Sequence, residues 1–201
     1  RYSIHEKNFV GINYPISSSR TAFRINFDKV SKKVLWASRL DSEKMPEMVG
    51  HIARKMPDVS FFVYGQNVLE SSDDFGFPDN VIVCGGFDGW DSIPDNDYDI
   101  FLFTSKWEGL PNILLEAAKS KLPIVSSVVG AIGEIITSET GYPVYNIHDE
   151  NEYVSAIKQA FERPDDAKAK SESLYRNHIL NRTEESLFKQ LCHIHYIKDF
   201  G

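Results

Sequence analysis

Short apolar runs bounded by glycine, proline or polar residues alternate along this chain with stretches whose apolar positions recur every three to four residues. Residues 34–37, 59–64, 80–84, 100–104, 123–126 and 142–145 form the runs, and they predict six strands. Nearly continuous apolar character over so few residues fits strands buried on both faces. Residues 46–56 predict a helix with Met48, Val49, Ile52, Ala53 and Met56 on one face, and residues 151–161 another with Tyr153, Val154, Ile157 and Phe161. A further helix is expected to start at Pro111, because proline suits a first helical position whose N–H would have no partner. Leu114, Leu115 and Ala118 supply its apolar face. Residues 130–136 read as a turn and short helix. Residues 165–198 predict two helices broken near Asn181-Arg182, the second opened by Thr183 with Glu184 and Glu185 in its first turn.

Strands alternating with helices imply an α/β fold, a doubly wound parallel sheet of about six strands with helices on both faces. Residues 1–30 carry few helix signals. Their 9–16 stretch predicts a strand or extended arm that Ser17-Ser18-Ser19 breaks, so they are assigned as a linker or lead-in to a domain over 31–201.

Ligands of such sheets bind beyond the carboxyl ends of the strands. The chemistry there is Ser38-Arg39 and Lys44 after the first strand, Gly65-Gln66 after the second, Gly85-Gly86-Phe87 after the third, Glu108 to Asn112 after the fourth, and Val128 to Glu134 after the fifth. Two cations, several glycines, an aromatic ring and carboxylates on one edge suit a phosphate-bearing, hydroxyl-rich ligand. The free amides of Leu110, Asn112 and Ile113 and the helix dipole favour an anion at the start of the Pro111 helix. Glu108 and Glu116 flank that start. A carboxylate accepts two hydrogen bonds at once, which suits vicinal sugar hydroxyls, although spacing alone equally allows a dipole partner and a solvated helix residue.

Composition narrows the classes. Of 201 residues, 42% are apolar, enough for one sizeable core or two small ones. The formal charge of −7 argues against nucleic acid bound over a broad surface, so any cation site must be local. No apolar run is long enough to span a membrane. Cys84 and Cys192 have neither metal-ligand nor redox spacing, which fits a reducing compartment.

Three stretches resemble, in order and in register, elements of the GT-B glycosyltransferases, family 4 in particular. Residues 37–44, ASRLDSEK, resemble their "G-R-L-x-x-x-K" element. Glu108-Gly109-Leu110-Pro111 through Glu116-Ala117 resemble the paired-glutamate motif, and residues 129–136, VGAIGEII, the glycine-rich turn behind it. Ala131 and Gly133 stand where that turn has a second glycine and a proline, and Met45-Pro46 follow Lys44 where the family often has glycine. The resemblance covers about residues 33–161. It implies the Rossmann-like, donor-binding C-terminal half of a two-domain enzyme, with an N-terminal acceptor domain outside this chain, and with Arg1 at the start of a fragment or processed chain.

The resemblance further implies that Arg39 and Lys44 neutralise the diphosphate of a nucleotide-sugar donor, and that Glu108 contacts the transferred sugar. Glu116 would accept from the ribose hydroxyls. Gly109, Leu110, Pro111 and Asn112 would hold the phosphates or sugar, and Phe87 after Gly86 would pack on the base. Transfer with retention, no cofactor, no metal, and a carbohydrate or lipid-linked acceptor in polysaccharide or lipopolysaccharide assembly are implied as well. So are a cytoplasmic location and room for peripheral contact of the full-length protein with the inner face of a membrane. The alternatives are a non-catalytic binding module of the same fold, or a relative such as a nucleotide-sugar epimerase.

Other features have plainer readings. Asp97-Tyr98-Asp99 resembles a metal-holding aspartate pair, yet it leads directly into the fourth strand. His193 and His195 point about 200° apart on a helix and cannot share a metal. Asp149 after His148 is expected to cap a helix. Trp36 is expected in the core, and Trp107 either in the core or walling the sugar site.

Overall fold

The computed structural model describes residues 13–20, 23, 31–66 and 75–199, with side chains through Cys192. Six parallel strands form one sheet: β1 (Lys32–Ala37), β2 (Val59–Tyr64), β3 (Val81–Gly85), β4 (Ile100–Phe103), β5 (Ile124–Ser127) and β6 (Tyr142–Val144). Their order is β3-β2-β1-β4-β5-β6. The register runs Val34 to Phe61 on one side of β1 and Val34 to Ile100 on the other. The chain thus winds outward from β1 in one direction, returns, and winds outward from β4 in the other, the doubly wound arrangement the alternation predicts.

Each face of the sheet carries its own apolar layer. Helices α1 (Pro46–Arg54) and α3 (Glu150–Glu162) cover one, burying Met48, Val49, Ile52, Tyr153 and Ile157 against Val34, Trp36, Phe61 and Val63. The other face is covered by α2 (Asn112–Lys119), a 3₁₀ turn at Trp90–Ser92, and Leu174 and Ile179 at the end of α4 (Pro164–Leu174) and in the π turn that continues it. Leu35, Phe101, Phe103, Leu114 and Ala118 meet there. Trp90 packs edge-on against Phe101, ring centroids 5.4 Å apart, and its Nε1–H donates to Ser120 Oγ at 2.7 Å. Trp36 is buried as expected, whereas Trp107 is 62% exposed and belongs to no core.

Helix ends follow their capping chemistry. Asp149 accepts from the Asn151 amide at 2.9 Å, and Thr183 Oγ1 accepts from Ser186 N–H at 3.1 Å ahead of α5 (Glu184–Asp199). Pro111 does not occupy the first helical position: its backbone is extended (φ −73°, ψ 136°), and its carbonyl accepts from Leu114 N–H, so it is the cap and Asn112 opens the helix. Met45 before α1 is left-handed (φ 53°, ψ 51°), a conformation that costs a non-glycine residue roughly 1 kcal/mol. This is the physical reason a glycine fits after the lysine of the "G-R-L-x-x-x-K" element. Here burial of the Met45 side chain offsets the strain.

Residues 13–16 carry no regular secondary structure, so no strand forms in that part of the expected arm; residues 9–12 lie outside the described set, as do the side chains of His193 and His195. Asp99 is buried and its Oδ2 accepts from Lys33 N–H at 2.8 Å, anchoring the entrance to β4 beside β1. Among the described residues no three His, Cys, Asp or Glu side chains come together as a metal-ligand group, and no helix is long and apolar enough to cross a membrane.

Candidate functional site

Sheet order decides which loops meet. Because β1 and β4 are neighbours and their following helices leave to opposite faces, a crevice opens beyond their carboxyl ends. Lys44, from the loop after β1, and Glu108, from the turn after β4, lie on either side of it and form an ion pair through Glu108 Oε1. Only 12% of the lysine side chain and 11% of the glutamate side chain remain exposed.

The two residues between β4 and that turn tie both loops together. Thr104 Oγ1 donates to the Lys44 carbonyl at 2.6 Å and accepts from Trp36 Nε1–H at 2.9 Å. Ser105 N–H donates to Ser127 Oγ at 3.0 Å, and Ser105 Oγ lies 3.1 Å from Glu108 Oε1. Lys106 N–H donates to the Glu43 carbonyl at 2.8 Å. Thr104, Ser105 and Ser127 are all buried, so these bonds are made away from competing water.

The glycine-rich turn closes the site from behind. Gly130 is left-handed (φ +55°) and its α-carbon sits against the Glu108 carbonyl, leaving no room for a side chain. Ala131 N–H donates to the Gly109 carbonyl at 3.2 Å. Neither Ala131 nor Gly133 disturbs this contact, since Gly130 alone meets the steric demand. Gly65 likewise leaves no room for a side chain against the Ser38 carbonyl, where the β2 loop meets the β1 loop.

Arg39 stands apart from the Lys44–Glu108 pair. Its side chain is 54% exposed and pairs with Asp41 at 3.1 Å and Glu43 at 3.6 Å in its own loop. Leu110, Pro111 and Asn112 carry the chain into α2, and the amides of Leu110, Asn112 and Ile113 find no acceptor among the described residues. A β-carbon at Gly86 would run into the Gln66 side-chain amide, and Phe87 is partly buried in the same apolar cluster as Leu110 and Ile113.

Glu116 is half-buried on the second turn of α2. Burial pushes its carboxyl above the usual range, nearby Asp91 adds to the shift, and the Ser17 hydroxyl and Lys119 oppose it. Ser17 belongs to a segment that sequence reasoning assigned only as a breaker. Asp91 gathers it: its carboxylate accepts from Ser18 Oγ at 2.6 Å, Ser19 N–H at 2.8 Å, Ser19 Oγ at 2.7 Å and Arg20 N–H at 3.1 Å. Those bonds, the Ser18 hydroxyl first, hold the Asp91 carboxyl well below the ordinary range. Lys119 Nζ donates to the Ile16 and Ser18 carbonyls from the other side. A groove of about 760 Å³ opens next to this segment, lined by Tyr14, Leu110, Asn112, Leu115, Glu134 and Arg182 among others. Neither Asp91 nor Arg182 has a sequence motif to mark it; the serine triplet was the one visible trace.

The profile of a family described as Glycosyl transferases group 1 matches residues 31–163. Two Escherichia coli proteins, the O-antigen biosynthesis glycosyltransferase WbnH and the probable O-antigen biosynthesis glycosyltransferase WbiN, are each 32% identical over 132 residues, which is 65% of this chain and 38% of theirs. The chain thus spans well under half the length of these relatives. Among solved structures, the apo lipopolysaccharide outer core galactosyltransferase WaaB superposes with a TM-score of 0.78 at 18% identity, over 97% of this chain and 57% of its own. Anabaena Alr3699/HepE in complex with UDP and glucose superposes with a TM-score of 0.67 at 15% identity, over 86% of this chain and 49% of its own. These two likenesses establish the GT-B type of fold.

Proposed function

The chain belongs to the Glycosyl transferases group 1 family, and from that premise we propose that it is the donor-binding domain of an enzyme that transfers a sugar from a nucleotide-diphosphate sugar. The meeting of Lys44 and Glu108 at the β1–β4 crevice carries this reading. An ammonium has three donors, so Lys44 can keep Glu108 and still offer two hydrogens to a diphosphate. Arg39 joins by leaving Asp41 and Glu43, and exposed pairs of that kind are worth only about 0–1 kcal/mol, so the exchange is inexpensive. The free amides at the start of α2 add partial positive charge on the same side.

As the bond between sugar and phosphate breaks, negative charge grows on the departing diphosphate. Fixed cations and amides stabilise that charge more than they stabilise the intact donor, which is where the rate gain arises. Glu108 orients the sugar through its hydroxyls, Glu116 accepts from the ribose, and Phe87 packs on the base. Transfer proceeds with retention and without a metal ion. The acceptor, a carbohydrate or lipid-linked saccharide, is met by a preceding domain on the cytoplasmic side of the membrane. The names of the E. coli relatives support O-antigen or lipopolysaccharide assembly as the setting.

Calorimetric titration with UDP, GDP, ADP and their sugar conjugates, in chelator, tests the reading. One nucleotide series should bind, and Lys44→Ala and Glu116→Ala should each weaken it. Absence of binding to both this domain and the full-length protein sinks it. Product stereochemistry by NMR tests retention separately, and an inverted product would end that part alone.

A further inference from the structure

We infer that Ser105 is a positioning residue that fixes the Glu108 carboxylate and presents one of its oxygens to the transferred sugar; this rests on the donor-domain reading. The Ser105 hydroxyl has one hydrogen and three acceptors at 3.1 Å: the carbonyls of Glu43 and Trp107 and Glu108 Oε1. The Glu43 carbonyl already accepts from Lys106 N–H at 2.8 Å. The Trp107 carbonyl is neutral, and a hydrogen bond to an ionised acceptor is roughly twice as strong as one between neutral groups. The hydrogen therefore goes to Glu108.

Both protein donors, Lys44 Nζ and Ser105 Oγ, then converge on the same oxygen, Oε1. Among the described residues no donor occupies Oε2, so that oxygen keeps its lone pairs for ligand hydroxyls. Two donors on one oxygen also settle the rotation of the carboxylate, which a single ion pair to a flexible lysine would not. Ser105 can impose this because it cannot move: it is fully buried, and its own N–H is held by Ser127 Oγ on the neighbouring strand. Thr104 does the matching service for the lysine, holding its carbonyl against Trp36. The pair is thus aimed by two adjacent residues at the end of β4, one for each partner.

The test uses Ser105→Ala and Ser105→Cys in this domain, the second retaining volume while offering only a weak donor. Calorimetry compares UDP with UDP-glucose, and GDP with GDP-mannose as a second pair. We expect both variants to lose about tenfold in affinity for the nucleotide-sugar that the wild type binds, and less than twofold for the matching nucleotide. The ¹⁵N signal of the Lys44 ammonium gives a readout free of donor: slow hydrogen exchange in the wild type should become fast in both variants. A merely structural serine would instead lower the melting temperature and weaken nucleotide and nucleotide-sugar alike, and that outcome overturns the proposal. So does an unchanged Lys44 signal with unchanged sugar discrimination. If the wild type binds no nucleotide-sugar, the donor reading falls, and with it the sugar-presenting role, while the Lys44 signal still decides whether Ser105 holds Glu108.

Discussion

Replacing Gly130 by alanine should displace the Glu108 turn from a distance of only one methyl group. Gly130 has φ +55°, where an L side chain is strained at roughly 1–3 kcal/mol. A β-carbon there would overlap the Glu108 carbonyl oxygen and approach its carbonyl carbon to 2.9 Å, where ordinary contact begins near 3.4 Å. Those atoms are backbone, so no side chain can swing away; the turn must retreat by at least about 0.5 Å, and further to clear the oxygen. Overpacking of this kind adds roughly 1–3 kcal/mol. Taken together, a loss of roughly 2–6 kcal/mol is expected, which for a domain of this size lowers the melting temperature by roughly 4–24 °C. Sugar recognition should suffer beyond stability, because a shift on the order of 1 Å in a positioning group can cost about a hundredfold. Gly109→Ala is the control within the same turn: its added carbon meets nothing within 4 Å and its φ lies outside the left-handed range, so melting should stay within about 2 °C of the wild type. Differential scanning calorimetry on both variants, followed by titration with the nucleotide-sugar, measures the contrast. Equal melting temperatures for Gly130→Ala and Gly109→Ala would refute the steric account.

Three further outcomes follow from the same geometry. The raised carboxyl of Glu116 means that the unfolded chain ionises first as pH rises above about 4.3, so this group's contribution is full below that pH and declines as pH rises through the folded value. Glu116→Gln should therefore melt like the wild type near pH 4 and above it at pH 7, while binding nucleotide at least tenfold more weakly; a lower melting temperature at pH 7 would contradict the burial argument. Asp91 has the opposite sign: its depressed carboxyl contributes fully above about pH 4 and loses its hold as pH falls through the folded value, so protection of the Ser19 and Arg20 amides, taken relative to their intrinsic exchange at each pH, should fall on acidification and, at neutral pH, in Asp91→Ala. Thr104→Val keeps the shape but strands the buried Trp36 N–H, which should cost about 1–3 kcal/mol in chemical denaturation, whereas Thr104→Ser should cost less than 1 kcal/mol.

The parts of this fold legible in the sequence are those whose cause is local. Strands buried on both faces carry apolar residues at every position, so β2 coincides with its predicted 59–64 run and the other five strands lie within two residues of theirs. Periodicity likewise found the inner faces of α1 and α3. Pro111 misled by one position, because the rule for proline in a first turn tolerates both the cap and the residue after it, and only ψ decides. Of the two places the sequence left open for Trp107, the core is excluded, because the residue follows the strand's end and is exposed. Long-range partners left almost no trace. Ser18 meets Asp91 across 73 positions, and Ser105 meets Ser127 across 22. Serine and aspartate are common enough that no spacing rule selects these pairs. Motif resemblance named Lys44 and Glu108 separately, but nothing in the linear pattern said that they would touch.

Their contact is a property of strand order. Adjacent parallel strands are about 4.8 Å apart, so two loops can share a polar contact only when their strands are neighbours or nearly so. In the order β3-β2-β1-β4-β5-β6 the loops after β1 and β4 emerge side by side, and Lys44 reaches Glu108 across 64 positions of sequence. Had β4 been laid beside β3, three strand spacings, roughly 14 Å, would separate the lysine from the glutamate. Phe87 and Asp91 show the converse. They follow β3, the strand farthest from the crevice on that side, and reach α2 only because the 86–93 loop turns back across the α2 face and is pinned there by Trp90 against Phe101 and Ser120. The reversal at β1 and β4 sets the charged centre of the site, and the returning loop sets where an aromatic ring and the partner of the Ser17–Arg20 segment can stand. One change of winding direction thus determines which loop chemistry can act together, and loops on the outer strands join it only when their own cores carry them back.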